Sequence, residues 1–184
     1  MNKFTLTVLG NDRPGIIAAI SASLLKQSCN IENVSQTILQ SEFAGIFIVS
    51  APEDLFLETL WKILEADLSG MGLHVHGKPL AQETRKVALE SGEPFVVITI
   101  GPDRKGLVAE IAGVIAGYGV NILNLKAVFK GGDDPDNNMM VYEIDVPKQV
   151  DLCSFRSDLK EKAGLMGLDL TIQHRKIFDT TNRI

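Results

Sequence analysis

Apolar residues alternate with threonine along Phe4-Thr5-Leu6-Thr7-Val8, so the chain opens as a strand with one buried face. A glycine-flanked turn, Gly10-Asn11-Asp12-Arg13-Pro14-Gly15, follows it. Ile17, Ile20 and Leu24 then return at helical spacing through about Ser28. Pro14 suits the first helical turn, where a missing N–H costs nothing, and Asp12 or Arg13 falls in the cap region. Asn30 suits the left-handed residue that ends many helices. The segments 31–40 and 45–50 read as a hairpin around Ser41-Glu42-Phe43-Ala44. Ile46-Phe47-Ile48-Val49 is apolar on both faces, which makes its strand central. Pro52-Glu53-Asp54 sets acidic residues against the positive end of a second helix. Its stripe is Leu57, Leu60, Trp61, Leu64 and Leu68, stopped by Gly70, and Met71 to Gly77 closes the unit as a strand.

The pattern then starts again. Gly10-Asn11-Asp12-Arg13-Pro14-Gly15-Ile16 returns 91 positions later as Gly101-Pro102-Asp103-Arg104-Lys105-Gly106-Leu107. Asn30-Ile31 and Asn33 return at the same offset as Asn121-Ile122 and Asn124. The second helical stripe is Leu107, Val108, Ile111, Val114 and Ile115. Beyond the longer hairpin at 131–138 the offset becomes 95, so that Pro52 matches Pro147. Four residues were thus gained at an acidic tip, where insertions are tolerated. Leu152, Phe155 and Leu159 mark the last helix, and Leu168, Leu170 and Ile172 the last strand.

A repeat of this length means two domains rather than one. The predicted fold is α+β: two ferredoxin-like β-α-β-β-α-β units, each a four-stranded antiparallel sheet with two helices on one face. The boundaries expected are 1–77 and 94–178, with a polar linker over 78–93, partly helical across Gln82–Glu90, and a tail at 179–184. Val96, Ile98 and Ile100 are apolar opposite the equally apolar Phe95 and Val97, so the uncovered sheet face needs another sheet or subunit. Small units bury little surface alone, which predicts packing of the two together and dimerisation.

Composition is ordinary for a globular chain, with 45% hydrophobic and 22% charged residues. The net charge of −5 argues against a direct nucleic-acid backbone binder, which needs a basic face. Cys29 and Cys153 occupy non-equivalent places, as unpaired thiols in a reducing compartment do. No apolar run reaches membrane-spanning length, and the N-terminus enters a strand without a leader-like segment, so a cytoplasmic protein is expected.

Candidate chemistry is sparse. No serine, cysteine or lysine sits in a nucleophile motif. His74 and His76 share one face of an outer strand, which suits a polar sheet surface better than a metal site lacking a third ligand. The tip Asp133-Asp134-Pro135-Asp136 lacks the alternating spacing and terminal glutamate of a calcium loop and reads as solvated. The glycine-flanked turns are more informative. A strand entering a helix this way leaves N–H groups free at the positive end of the helix dipole, and glycine lets a ligand or neighbouring backbone come close. A carboxylate suits that place, and Asp12 or Asp103 suits an ammonium, which together describe a small zwitterion. The plainer alternative is that the glycines make tight turns and the aspartates cap helices.

The element running from Leu9 through Ile16, followed by Asn30-Ile31 and a hairpin, resembles an ACT domain, and Gly101 to Leu107 resembles a second. Two such domains with nothing else are most similar to the glycine-cleavage-system regulatory proteins, accessory to transcriptional repression. The resemblance implies a non-catalytic protein, without a cofactor, that binds a small amino acid at interfaces between paired domains. It would signal to a transcription regulator or metabolic enzyme in control of glycine and one-carbon metabolism. It also implies the site residues: Asn11, Asp12, Gly15 and Ile16 facing Asn30, Ile31 and Asn33 of a neighbour, and Asp103, Gly106 and Leu107 facing Asn121, Ile122 and Asn124. Lys105 replaces Pro14 in the second copy, which leaves that turn less rigid. Two other functions share the topology. An acylphosphatase needs a glycine-rich phosphate loop, absent around Arg13 and Asn33, and an RNA-recognition module needs exposed aromatics and a basic surface.

Overall fold

The computed structural model describes residues 1–80, 92–128 and 138–181. The chain divides into two compact units, Met1–Arg85 and Lys86–Ile184. The first contains β1 (Asn2–Asn11), α1 (Ile16–Lys26), β2 (Asn30–Leu39), β3 (Glu42–Ala51), α2 (Leu57–Leu68) and β4 (His74–Pro79). The second contains β5 (Glu93–Gly101), α3 (Leu107–Gly117), β6 (Asn121–Val128), β7 (Asn138–Val146), α4 (Leu152–Leu165), β8 (Asp169–His174) and α5 (Arg175–Thr181). The two antiparallel sheets have the orders β2-β3-β1-β4 and β6-β7-β5-β8, so each unit is the expected β-α-β-β-α-β fold with β1 and β3, or β5 and β7, at the centre. The stretch 82–90 and the tip Asp133–Asp136 lie outside the described residues.

Alternation along the central strands sends Phe4, Leu6 and Val8 of β1 and Phe43, Phe47 and Val49 of β3 to the helix side. There they meet Ile16, Ile20 and Leu24 of α1 and Leu60, Leu64 and Leu68 of α2. The helical phase differs by one position from the sequence reading: Ile16 is buried, whereas Ile17 is 39% exposed. The first hairpin is also tighter than expected. Gln40 turns with φ 57 and β3 already begins at Glu42, so Phe43 belongs to the core rather than to a loop. A phenylalanine that fills a hydrophobic layer outweighs the turn-like composition around it.

Helix ends show where local chemistry was misread. Neither Asp12 nor Arg13 caps α1, because Gly15, in the left-handed region at φ 96, is the N-cap and carries no capping side chain. Pro14 therefore precedes the helix rather than opening it. At the far end Cys29 N–H bonds the Leu24 carbonyl at 3.0 Å and Ser28 N–H the Leu25 carbonyl at 2.9 Å, around Ser28 at φ 56. The left-handed residue is thus Ser28, and Asn30 is already the start of β2. Val120 and Gly119 repeat the motif after α3, with glycine in the strained position. Helix α2 begins at Leu57, later than Pro52-Glu53-Asp54, whose turn is held by the Asn2 amide donating to the Glu53 and Leu55 carbonyls, each at 3.1 Å. Ser69–Met71 is a 3-10 turn, so the closing strand starts only at His74. In the second unit Asp151 does cap its helix, accepting from Cys153 N–H and, at its other oxygen, Ser154 N–H. The Ser154 hydroxyl and these amides hold its carboxyl below the usual range.

The sheet faces away from α1 and α2, and from α3 and α4, differ between the units. In the first, Leu9 and Ile46 stand 49% and 51% exposed beside Thr7 and His74. In the second, α5 packs against β5 and β8, and Arg175 Nη1 reaches Glu143 Oε2 on β7 at 3.0 Å. Val96, which pairs with Glu143 on one side and Gln173 on the other, is buried. Helix α5 runs across the boundary expected at 178 and takes in residues 179–181 of the expected tail, and near its start the Lys176 N–H bonds His174 Nδ1 at 3.2 Å.

Candidate functional site

The turn between β1 and α1 contains two glycines with different causes. A Cβ on Gly10 would stand 2.8 Å from Leu73 Cδ2 and 2.9 Å from the Gly72 carbonyl oxygen, so this glycine serves the approach of a neighbouring backbone. Gly101 meets Gly167 and Leu168 in the same way. Gly15 and Gly106, at φ 96 and 92, have nothing within 4 Å of a built Cβ. Their backbone demands glycine while the space before them stays open.

That open space is a cleft of about 250 Å³ lined by Asp12, Arg13, Gly15, Ile16, Ile17, Ala18, Gln36 and Phe43. The first intrahelical bond is Ala19 N–H to the Gly15 carbonyl at 2.9 Å, so the N–H groups of Ile16, Ile17 and Ala18 precede it. Asp12 is fixed by its own N–H, which bonds the Ser41 carbonyl of the hairpin at 2.7 Å. The Ile16 side chain lies in the core, so only its backbone is available to a ligand. In the second unit Glu110 N–H bonds the Gly106 carbonyl at 2.9 Å, Leu107 is buried like Ile16, and Asp103 is exposed.

Asn30, Ile31 and Asn33 lie elsewhere. Asn30 pairs with Ser50, whereas Asn11 pairs with Glu42 on the same strand β3. At about 3.4 Å per residue the two groups stand roughly 27 Å apart, at opposite ends of one sheet. The structure brings Asn11, Asp12, Gly15 and Ile16 together, and separately Asn30, Ile31 and Asn33, but does not join the two sets within a unit. A register shift falls between Ile31 and Asn33 and again between Ile122 and Asn124. The repeated Asn-Ile-x-Asn is thus a β-bulge, which re-aims the flanking side chains. Both asparagines of each motif lie exposed on the face away from α1 and α2, or from α3 and α4. In the second unit Asn124 Nδ2 donates to Glu143 Oε1 at 3.0 Å.

Gln36, Phe43, Glu143 and Arg175 were not anticipated as neighbours of these motifs. Gln36 sits within an otherwise unremarkable polar strand, and nothing in the sequence links it to a turn more than twenty residues away. Elsewhere the chemistry is quiet. Burial raises the Cys29 thiol above its ordinary pKa, opposite to what a nucleophile needs. His74 and His76 are exposed on β4, with Trp61 edge-on to His76 at 6.4 Å. Among the described residues no three His, Cys, Asp or Glu side chains form a group able to hold a metal ion, and no helix is long and apolar enough to cross a membrane.

The ACT domain family matches residues 3–78 and 93–173, one match per unit. The chain belongs to the ACT domain family. Its relatives include a UPF0237 protein of Methanosarcina mazei, 35% identical over 75 residues, which are 40% of this chain and 82% of that one. A UPF0237 protein of Methanopyrus kandleri is 45% identical over 53 residues, 29% of this chain and 59% of its own length. Two solved structures share the fold across both ACT domains. One is an unknown protein from Galdieria sulphuraria, with TM-score 0.74 and 21% identity, matched over 94% of this chain and 98% of that one. The other is described as a proposed glycine cleavage system transcriptional repressor, with TM-score 0.65 and 15% identity over 94% and 96% of the two chains. Tandem ACT domains place this protein in a family of regulatory modules.

Proposed function

We propose that this ACT protein is a non-catalytic sensor of a small amino acid and conveys its occupancy to a partner, a transcription regulator or metabolic enzyme in glycine or one-carbon metabolism. The observation that carries this reading is the cleft at the uncapped start of α1, which Asp12 lines together with Ile16, Ile17 and Ala18, the residues whose N–H groups precede the first intrahelical bond. Helix N–H groups suit the ligand carboxylate and Asp12 its ammonium. The strand starts at Asn30–Asn33 are too distant to join that cleft in their own unit, so a second copy of the chain supplies them in this reading. Asp103, Gly106 and Leu107 take the corresponding part in the second domain, with Asn121, Ile122 and Asn124. The similarity to a proposed glycine cleavage repressor supports the metabolic assignment.

Isothermal calorimetry with glycine, serine and their deaminated analogues tests it. Asp12→Ala is expected to weaken amino-acid binding about tenfold or more, the value of a charge-assisted hydrogen bond, and to leave the simple acids nearly unchanged. Absence of binding by any amino acid at millimolar concentration, or enzyme-like turnover of an acyl phosphate, would refute the reading.

A further inference from the structure

The Asn-Ile-x-Asn motif is repeated, but the strand beside it is not. In the second domain Asn121 pairs with Asp145 and Asn124 with Glu143, so two carboxylates of β7 stand across from the two asparagines. In the first domain the same places on β3 hold Ser50 opposite Asn30 and Ile48 opposite Asn33. Glu143 engages its neighbour directly: its Oε1 accepts from Asn124 Nδ2 at 3.0 Å, and its Oε2 meets Arg175 Nη1 at 3.0 Å.

An asparagine amide has two unlike ends, a nitrogen with two donors and an oxygen that accepts. An ionised carboxylate only accepts, so it takes the nitrogen end and leaves the oxygen end pointing elsewhere. With Nδ2 held by Glu143, Oδ1 is the end that the exposed Asn124 turns outward. The charge of this face does not decide what it attracts, because Lys126, opposite Val141, and Arg175 stand there beside the two carboxylates. The direction of one amide does. Ile48 can neither donate nor accept, so it sets no direction for Asn33.

We propose that Glu143 is a positioning residue: it makes Asn124 present its carbonyl oxygen, and so makes the strand start of the second domain a seat for the ammonium of an amino acid rather than for its carboxylate. The proposal rests on the sensor reading above, in which Asn124 is a ligand contact. An ammonium carries several N–H donors, of which Asn124 Oδ1 takes one and Asp103 of a second copy takes another. The ligand carboxylate is left to the N–H groups at the start of α3. The second domain therefore asks for an N–H donor at two places, whereas the first, with Ile48, asks for one only at Asp12.

Calorimetry on the full chain tests this, using glycine and acetate as probes in an Asp12→Ala background that weakens the first cleft. Glu143→Gln keeps the shape of the side chain. Arg175 then claims its oxygen, its NH2 faces Asn124, and the Asn124 amide reverses. The preference for glycine over acetate should fall about three- to tenfold, the worth of one hydrogen bond. Glu143→Ile, which copies Ile48, should lose less, because the amide is then unheld rather than reversed. In an Asn124→Ala chain the Glu143→Gln step should cost less than about twofold, since Glu143 acts through Asn124. An unchanged glycine-to-acetate ratio in Glu143→Gln overturns the proposal. So does an equal loss with and without Asn124, which would make Glu143 a direct contact. If wild type binds glycine and the Asp12→Ala chain binds none, the second domain has no site and this proposal fails while the sensor reading stands. If wild type binds neither glycine nor serine, the sensor reading itself fails, and this proposal with it.

Discussion

The two ACT domains share a backbone plan but fill it differently. Where the first has Val8, Phe43, Gly45 and Phe47, the second has Thr99, Asn138, Met140 and Tyr142 on the corresponding strand positions. The first set is hydrocarbon throughout, with a Cβ on Gly45 only 2.9 Å from the Phe43 and Phe47 rings. The second set carries three polar groups into the core. Thr99 Oγ1 is buried without a partner, and the Tyr142 hydroxyl donates to the Met140 sulfur at 3.4 Å, a weak acceptor. Polar groups buried without good partners cost free energy. The centre of the second domain therefore carries a destabilising contribution that the centre of the first lacks, and α5 packs against the outer side of its β5 and β8. The duplicated fold thus keeps an all-hydrocarbon centre in one copy and a partly polar one in the other.

The comparison can be broken most forcefully at the turn. Gly10→Ala should destabilise the first domain by about 2–4 kcal/mol, because its methyl would meet Gly72 and Leu73. Gly15→Ala, only five positions on, should cost about 1 kcal/mol from its positive φ alone. Trp61, the sole tryptophan, lies in α2 and reports urea unfolding of this domain specifically. Equal losses for the two substitutions would show that the space before Gly15 is not open.

Tyr142 gives the second domain an alkaline weakness that Phe47 denies the first. Burial pushes its pKa from 10.0 up to about 12. A group whose folded pKa is raised gives stability that is complete below its unfolded value and lost as pH climbs through the folded one. Between pH 10 and about 12 the second domain should therefore lose up to about 1.4 kcal/mol per pH unit relative to Tyr142→Phe. Urea melts of both proteins across that window, with hydrogen exchange to separate the domains, check the sign. A difference that grows toward lower pH would contradict it.

Two smaller substitutions sharpen the contrast by making one domain resemble the other. Thr99→Val, which installs the residue type of Val8, should stabilise the second domain by about 1 kcal/mol by removing its unpartnered hydroxyl. Ser28→Gly, which copies Gly119, should relieve a left-handed serine and stabilise the first domain by about 0.5 kcal/mol. Denaturant midpoints at unchanged slope are the measurement for each.

Much of this was legible in the residues. The alternation of Phe4 to Val8, the doubly apolar run at Ile46–Val49 and the exact return of the glycine turns led to the right topology, because periodicity and turn chemistry are local properties. The turn motif and the Asn-Ile-x-Asn motif were both visible as repeats. Their errors were local as well: an N-cap assigned to Asp12, a left-handed end assigned to Asn30, and a hairpin tip that swallowed Phe43. In each case a residue with suitable propensity lay near one that the tertiary structure used instead.

The sequence by itself determined the duplication, the two sheets and the identity of the turns, since each follows from residues close together along the chain. Only the tertiary structure decided that Gly10 and Gly15 are glycines for opposite reasons, one crowded and one open. It alone placed Gln36 beside the turn, set Asn30–Asn33 at the far end of the sheet, and laid α5 across β5 so that Arg175 meets Glu143. These are consequences of strand register and of a chain reversal after β8. Both are fixed by packing between residues distant in sequence, which no local pattern encodes.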